Sequence, residues 1–524
     1  MFFMIQDILT PKWNSERYGQ DIVGIEKLET KNLDVLFLGT SHVYNGISPM
    51  RLYEKYGLCT YCLSTGGQPI AGSYILLKNS YHKHDIKNVF LDVSNLFFEE
   101  DVDGLDGLFV YILDNLPLGL EKYNLIREYT GKSWGDEFPA VMFPIIRTHA
   151  SWQYLKRENF LPPHTYDYSL GFMPVSKIES SPYQWEEVNT SADRLAAEYG
   201  ETIETVNGEI IQTNPNYPVY KPRIQNKNLD FLLKIKELCD RHGTNLVLVK
   251  VPTMHVPQYY TSAWTNAKSK MVSEIAEEYQ LPFLDIIEEN ESLVDFTADS
   301  VDGGRHLNVY GAEKCSDYLG EYLIENHYVS GERRSDPVYD KNLLLHQKVM
   351  DVAHQQGITD FRIYLQYIKE KMENRTIIFA AAHDYVMGLE PEDFAALEDL
   401  GLSLVTQGEA LQSYIGIISN GETLYEAISD YELIHEEAIP GGTIQVSSRN
   451  WWNLNPGASI IINGTEYSLS GRGLNIVVYD HETDCVIDNA AFDTFDPTKP
   501  VMRDEIWKNS MLRNYESALC FDAR

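Results

Sequence analysis

The sequence predicts an α/β domain over about 25–330 and an α+β domain over about 358–500. Three observations predict it. Short apolar runs at 33–39, 88–93, 245–251 and 282–286 alternate with helix-like stretches. Such alternation implies a parallel sheet with helices on both faces. From about 441 onward helical periods stop and short strand-like runs take over. Between the two patterns, residues 330–345 are charged and carry no apolar period, so 331–357 reads as a linker.

Taken in order, LDVLFLG (33–39) is an apolar run closed by Gly39, as a buried parallel strand should be. Ser48-Pro49 opens a helix through Tyr56, with proline in a tolerated first-turn position. Gln68-Pro69 opens another, with Ile70, Tyr74 and Leu77 at helical spacing. An amphipathic helix at 228–241 ends at Gly243, strand 245–251 follows, and helices at about 263–279 and 311–325 flank strand 282–286. Residues 101–226 break the pattern. They are rich in Tyr, Trp and Pro and read as a long insertion able to cap a site. In the second part, helix 358–372, strand 375–381, helix 391–400 and strand 413–419 precede strands at 442–447, 457–463, 466–470, 473–480 and 485–492. Asn463-Gly464 is a hairpin signal. Residues 501–524 match no pattern.

The 524 residues suffice for several domains. Hydrophobic content of 44% and charged content of 23% are ordinary for a globular chain. The charge balance is not: 43 Lys+Arg against 77 Asp+Glu gives −34. Such a chain repels phosphate backbones, which argues against a nucleic-acid partner. Six cysteines make no disulfide scaffold, and the lone Cys59-Thr60-Tyr61-Cys62 motif has no second pair at zinc spacing, so neither metal nor cofactor is expected. No run of about 18 apolar residues is present. The start, Met1-Phe2-Phe3-Met4-Ile5, reads as a truncated anchor or a docked terminus within an N-terminal segment 1–24, leaving membrane anchoring open.

The chemistry concentrates where strand 33–39 runs into Gly39-Thr40-Ser41-His42. A serine there sits at the carboxyl edge of the sheet, where α/β folds place ligands. A serine nucleophile needs a base, and the base needs an orienting acid. Far downstream, Asp302-Gly303-Gly304-Arg305-His306-Leu307-Asn308 supplies both in one loop. His42 adjoins Ser41, but neighbours in a tight turn point apart. His255, after strand 245–251, is the rival base. The plainer roles are a helix-capping Ser41 and a loop-filling His306.

DVLFLGTSHVYNGISP, followed by the Asp302–Asn308 block and Gly311-Ala312-Glu313-Lys314, resembles the SGNH/GDSL hydrolase superfamily over about 25–330. More narrowly it is similar to a bacterial branch of cell-surface acyl-transfer proteins. The resemblance implies a flavodoxin-like three-layer fold and a metal-free Ser-His-Asp triad. Ser41 matches the nucleophile block. Gly66 or Gly67, in STGGQP, matches the glycine whose N–H helps form the oxyanion hole. Asn95, in LDVSN, falls where the family's Asn donor belongs, although the usual Gly-x-Asn-Asp is absent. The family's Asp-x-x-His is one residue longer here, which leaves Asp302 or Asp299 as the orienting acid.

The second domain carries FAAAHD (379–384) and, later, GRGLN (471–475) with Phe492-Asp493-Thr494. These pieces resemble the interleukin-like EMT inducer (ILEI) fold, or GG-type lectin domain, over about 358–496, with its elements circularly permuted. The resemblance implies carbohydrate binding. Arg472, Asp384 and one of Trp451 or Trp452 are the candidate contacts, an indole stacking on a sugar face while Arg and Asp bond its hydroxyls. Together the two resemblances imply a cell-surface or secreted serine esterase or O-acyltransferase acting on an acylated, most simply acetylated, polysaccharide. The alternative is a non-catalytic surface protein that binds glycans through a degenerate scaffold.

Overall fold

A computed structural model describes residues 2–9, 20–97, 112–116, 118–130, 138–155, 160, 167–181, 202–206, 209–214, 217–220, 224, 226–254, 262–383, 388–405 and 411–522. The chain forms two compact units. One comprises Met1–Pro174 and Ile178–His346, the other Val175–Lys177 and Gln347–Arg524.

The first unit is built on β1 (Asn32–Gly39), β2 (Thr60–Ser64) and β3 (Asp85–Asp92). The small strands β4 (Thr202–Val206), β5 (Glu209–Asn214) and β6 (Tyr217–Tyr220) follow, then β7 (Asn245–Lys250) and β8 (Phe283–Asp285). Five of these form a sheet in the order β2-β1-β3-β7-β8, every neighbour parallel. The reason lies in β1, buried from Leu33 to Gly39 on both faces. Leu33, Leu36 and Leu38 join one apolar cluster with Ile22, Ile70, Leu77, Leu232 and Ile235. Val35 and Phe37 join another with Val43, Leu52, Cys315, Leu319 and Leu323. A strand buried on both sides has no polar face, so helices cover the sheet above and below. All strands run the same way, and Gly39, Ser64, Asp92, Lys250 and Asp285 therefore share one edge.

Within 101–226, expected as an insertion without a period, the described residues include the helix Leu120–Thr130 and the antiparallel sheet β4-β5-β6. The stretch 331–357, expected as a linker, instead holds a 21-residue helix, Pro337–Gly357. Its charged first turn hid a buried stripe of Tyr339, Val349, Met350, Val352 and Ala353.

The second unit carries one nine-stranded mixed sheet. Its strands are β9 (Arg375–His383), β10 (Ser413–Ser419), β11 (Glu422–Ser429), β12 (Leu433–Ile439), β13 (Gly442–Asn450), β14 (Gly457–Ile462), β15 (Thr465–Glu466), β16 (Gly473–Asp480) and β17 (Cys485–Phe492). β9 is central. It runs antiparallel to β10 and β16, and its last residues pair in parallel with β13. Asn463 and Gly464, both at positive φ, turn β14 into β15 as the hairpin signal predicts. The expected strand 466–470 shrinks to β15. β11 and β12 match no expected strand, because neither holds an apolar run: β11 is exposed and then half-buried along its length, and β12 alternates exposed and half-buried residues. Residues 501–524, without an assigned pattern, contain the helix Glu505–Asp522. Met511, Leu512, Tyr515 and Leu519 bury its apolar stripe.

Cys59 and Cys62 are buried and form no disulfide, Cys59 packing in the first apolar cluster and Cys62 in the second, and burial pushes the Cys59 thiol up to about 11. Among the described residues no helix is long and apolar enough to cross a membrane, and no group of His, Cys, Asp or Glu is placed to hold a metal ion.

Candidate active site

β1 ends at Gly39 because nothing larger fits: a Cβ there would run into the Cβ of Asp92 at the end of β3. Thr40 then caps the short helix Ser41–Gly46, its hydroxyl accepting from the His42 N–H. Ser41 is the first residue of that helix and stands at the carboxyl edge of the sheet.

The downstream loop arrives at the same edge. Gly303 and Gly304, at φ +76° and +107°, fold it tightly over Ser300, whose hydroxyl accepts from the Gly304 N–H at 2.5 Å. Met254 N–H donates to the Gly304 carbonyl at 2.7 Å, and Thr253 Oγ1 donates to the Arg305 carbonyl at 3.0 Å, tying the loop to the end of β7. His306 is thereby held with Nε2 2.7 Å from Ser41 Oγ. Its Nδ1 lies 2.6 Å from Asp302 Oδ2, and its backbone N–H donates to Asp302 Oδ1 at 2.9 Å. An ionised carboxylate only accepts, so Nδ1 carries the proton and Nε2 is free to accept from the serine hydroxyl. Burial pushes the Asp302 carboxyl up, but the hydrogen bond and charge of His306 outweigh it and hold the group below its usual range.

Of the two candidate aspartates, Asp302 is the one hydrogen-bonded to His306. Asp299 is buried and accepts from Lys314 Nζ at 2.6 Å and from the Asp295 N–H at 2.8 Å. It fixes the loop and does not bond His306. The extra residue in the Asp302–His306 spacing is taken up by the two glycines, which let both carboxylate oxygens reach the same histidine.

Gly67, at φ +60°, lies in the turn after β2. That turn is fastened beside Ser41 by a bond from the Thr65 N–H to the Gly39 carbonyl at 3.3 Å. Asn95 departs from expectation. It is buried, and its amide donates to the Gln68 carbonyl. It follows β3 in the 3₁₀ turn Ser94–Phe97 and braces the Gly67 turn. His255, the rival base, lies outside the described residues.

One group was missed at the sequence level. His42 Nδ1 lies 3.2 Å from Thr40 Oγ1 and 3.1 Å from Ser94 Oγ, and both hydroxyls donate to Asp92 at 2.7 Å. The His42 and His306 rings are 5.2 Å apart, centre to centre. Asp92 and Ser94 at the end of a buried strand were the available signal.

In the second unit, Trp451 and Trp452 are 58% and 74% exposed. This is unusual for adjacent indoles. Both follow β13, while Gly473 and Arg449 oppose Ala382 from the two sides of β9. Arg472 and the Trp451-Trp452 pair thus flank the end of β9, which leads into Asp384. Asp384 itself lies outside the described residues. The Arg472 guanidinium stacks 3.4 Å from the centre of the Phe495 ring.

No protein-family model matches this chain, and no curated protein matches it.

Proposed function

We propose that the first unit is a serine esterase or O-acyltransferase of the SGNH/GDSL type. The observation that carries this is the hydrogen-bonded chain Ser41 Oγ–His306–Asp302 at the carboxyl edge of a parallel sheet. Ser41 Oγ attacks an ester carbonyl while His306 Nε2 takes its proton, and Asp302 holds the imidazolium that forms. The backbone N–H groups of Ser41 and Gly67 are the proposed oxyanion donors, with Asn95 supporting the Gly67 turn. His306 then protonates the leaving alcohol, and water or a sugar hydroxyl takes the acyl group from Ser41.

The proposed substrate is an O-acylated, most simply O-acetylated, polysaccharide at the cell surface or outside the cell. The second unit, read as a permuted ILEI-like domain, holds the glycan and raises its local concentration. Exposure of Trp452 supports that role, since a solvent-facing indole can stack on a sugar. Release of acetate from an O-acetylated glycan by the wild type, and not by Ser41→Ala, tests the catalytic half. For the second unit, Trp452→Ala is expected to weaken glycan binding about tenfold, or ~1.4 kcal/mol. A glycan array followed by calorimetry on the best ligand checks it. Unchanged affinity would remove Trp452 from the site.

A further inference from the structure

His42 is held by its own set of groups, through two hydroxyls at 3.1 and 3.2 Å that are in turn bonded to a carboxylate. Asp92 is buried and accepts from the Thr40 and Ser94 hydroxyls and from both their backbone N–H groups. Since both hydroxyl protons go to Asp92, the hydroxyl oxygens face His42 Nδ1 as acceptors. Nδ1 therefore carries the ring's proton, and Nε2 carries a lone pair. Among the described residues Nε2 has no hydrogen-bond partner, and it is not sealed from solvent. The side chain is 15% exposed. Burial, reinforced by His306 and Arg305 and opposed by the Asp92 and Asp302 charges, lowers its pKa to about 4, so the ring stays neutral at neutral pH. The result is a second fixed acceptor beside the base, unused by the triad.

We propose that His42 seats the acyl acceptor: Nε2 takes a hydrogen bond from one hydroxyl of a polyol while the neighbouring hydroxyl attacks the acyl-enzyme. This rests on the reading that Ser41 is acylated. In the transfer step the attacking oxygen bonds the acyl carbon and its proton passes to His306 Nε2. The bond from Ser41 Oγ to that carbon breaks, and His306 returns the proton to Ser41. His42 exchanges no proton. It makes the site selective for vicinal hydroxyls over water and over simple alcohols.

The test is the partition of the acetyl-enzyme formed from p-nitrophenyl acetate among water, glycerol and 1-propanol. Acylation precedes the branch, so a slower first step does not move the ratio. Wild type is expected to favour glycerol over 1-propanol about tenfold per mole. His42→Asn keeps a side-chain N–H towards Thr40 and Ser94 but lacks the acceptor nitrogen. It and His42→Phe are expected to lose most of that preference. An equal ratio in wild type and variants overturns the proposal, as does a wild type that never transfers to glycerol. Loss of all p-nitrophenol release in a folded His42 variant would place His42 in acylation instead, and also overturns it. Independent of any variant, ¹⁵N NMR of the native protein should show His42 as the neutral Nδ1–H tautomer at pH 7, and an Nε2–H tautomer contradicts the proposal. If wild type and Ser41→Ala release p-nitrophenol alike, the underlying reading fails. That failure shows before any His42 variant is made.

Discussion

Ser41→Ala is expected to slow p-nitrophenyl acetate hydrolysis by about 10⁴-fold or more in kcat, and His306→Ala by a similar factor. The double variant should be little worse than either single one. The two side chains act as one unit: without the base the hydroxyl keeps its proton, and without the hydroxyl the base has nothing to activate. The 2.7 Å contact between Oγ and Nε2 is the observation behind this. A structural role for either residue predicts otherwise. A capping serine or a loop histidine would alter stability and leave the rate per folded molecule nearly intact. Circular dichroism beside the kinetics separates these outcomes.

Asp302→Asn is expected to lower kcat about 10³- to 10⁴-fold with the fold preserved. Asparagine is nearly the same shape, but its NH₂ can donate to the imidazole where the carboxylate could only accept. Nδ1 then becomes the acceptor, the proton moves to Nε2, and Ser41 faces a donor. Asp299→Asn should do the reverse. It removes the buried charge that pairs with Lys314 and costs about 1–3 kcal/mol of stability, with activity per folded molecule retained. Denaturant melts and kinetics on both variants check the assignment. An active Asp302→Asn beside an inactive, folded Asp299→Asn would reverse the roles of the two acids.

β1, β3, β7 and β8 are legible in the sequence because burial leaves apolar runs, as in β1 and β7; β2 is not, since Thr60 and Ser64 bound a buried strand of only three apolar residues. That Ser41 and the Asp302–His306 loop meet was legible because both lie at strand ends and turns on the carboxyl edge of one parallel sheet. The choice of Asp302 over Asp299 was not, since it depends on how Gly303 and Gly304 fold the loop and on Lys314 claiming Asp299. His42 points away from Ser41, as adjacent residues in a tight turn do, but β3 brings Asp92 and Ser94 alongside it, a pairing between strands invisible to local spacing. In the second unit, the helix Glu505–Asp522 and the strands β11 and β12 carry no clean apolar period, because polar residues interrupt each of them. Trp451 and Trp452 follow the end of β13 and are both exposed.

The most direct test of the central claim is active-site labelling with a fluorophosphonate. Only a serine whose proton is removed by a positioned base reacts rapidly with such a probe. The account predicts one label per chain, mapped by peptide mass spectrometry to Ser41 and lost in both Ser41→Ala and His306→Ala. An unlabelled wild type, or labelling that survives Ser41→Ala, would contradict it.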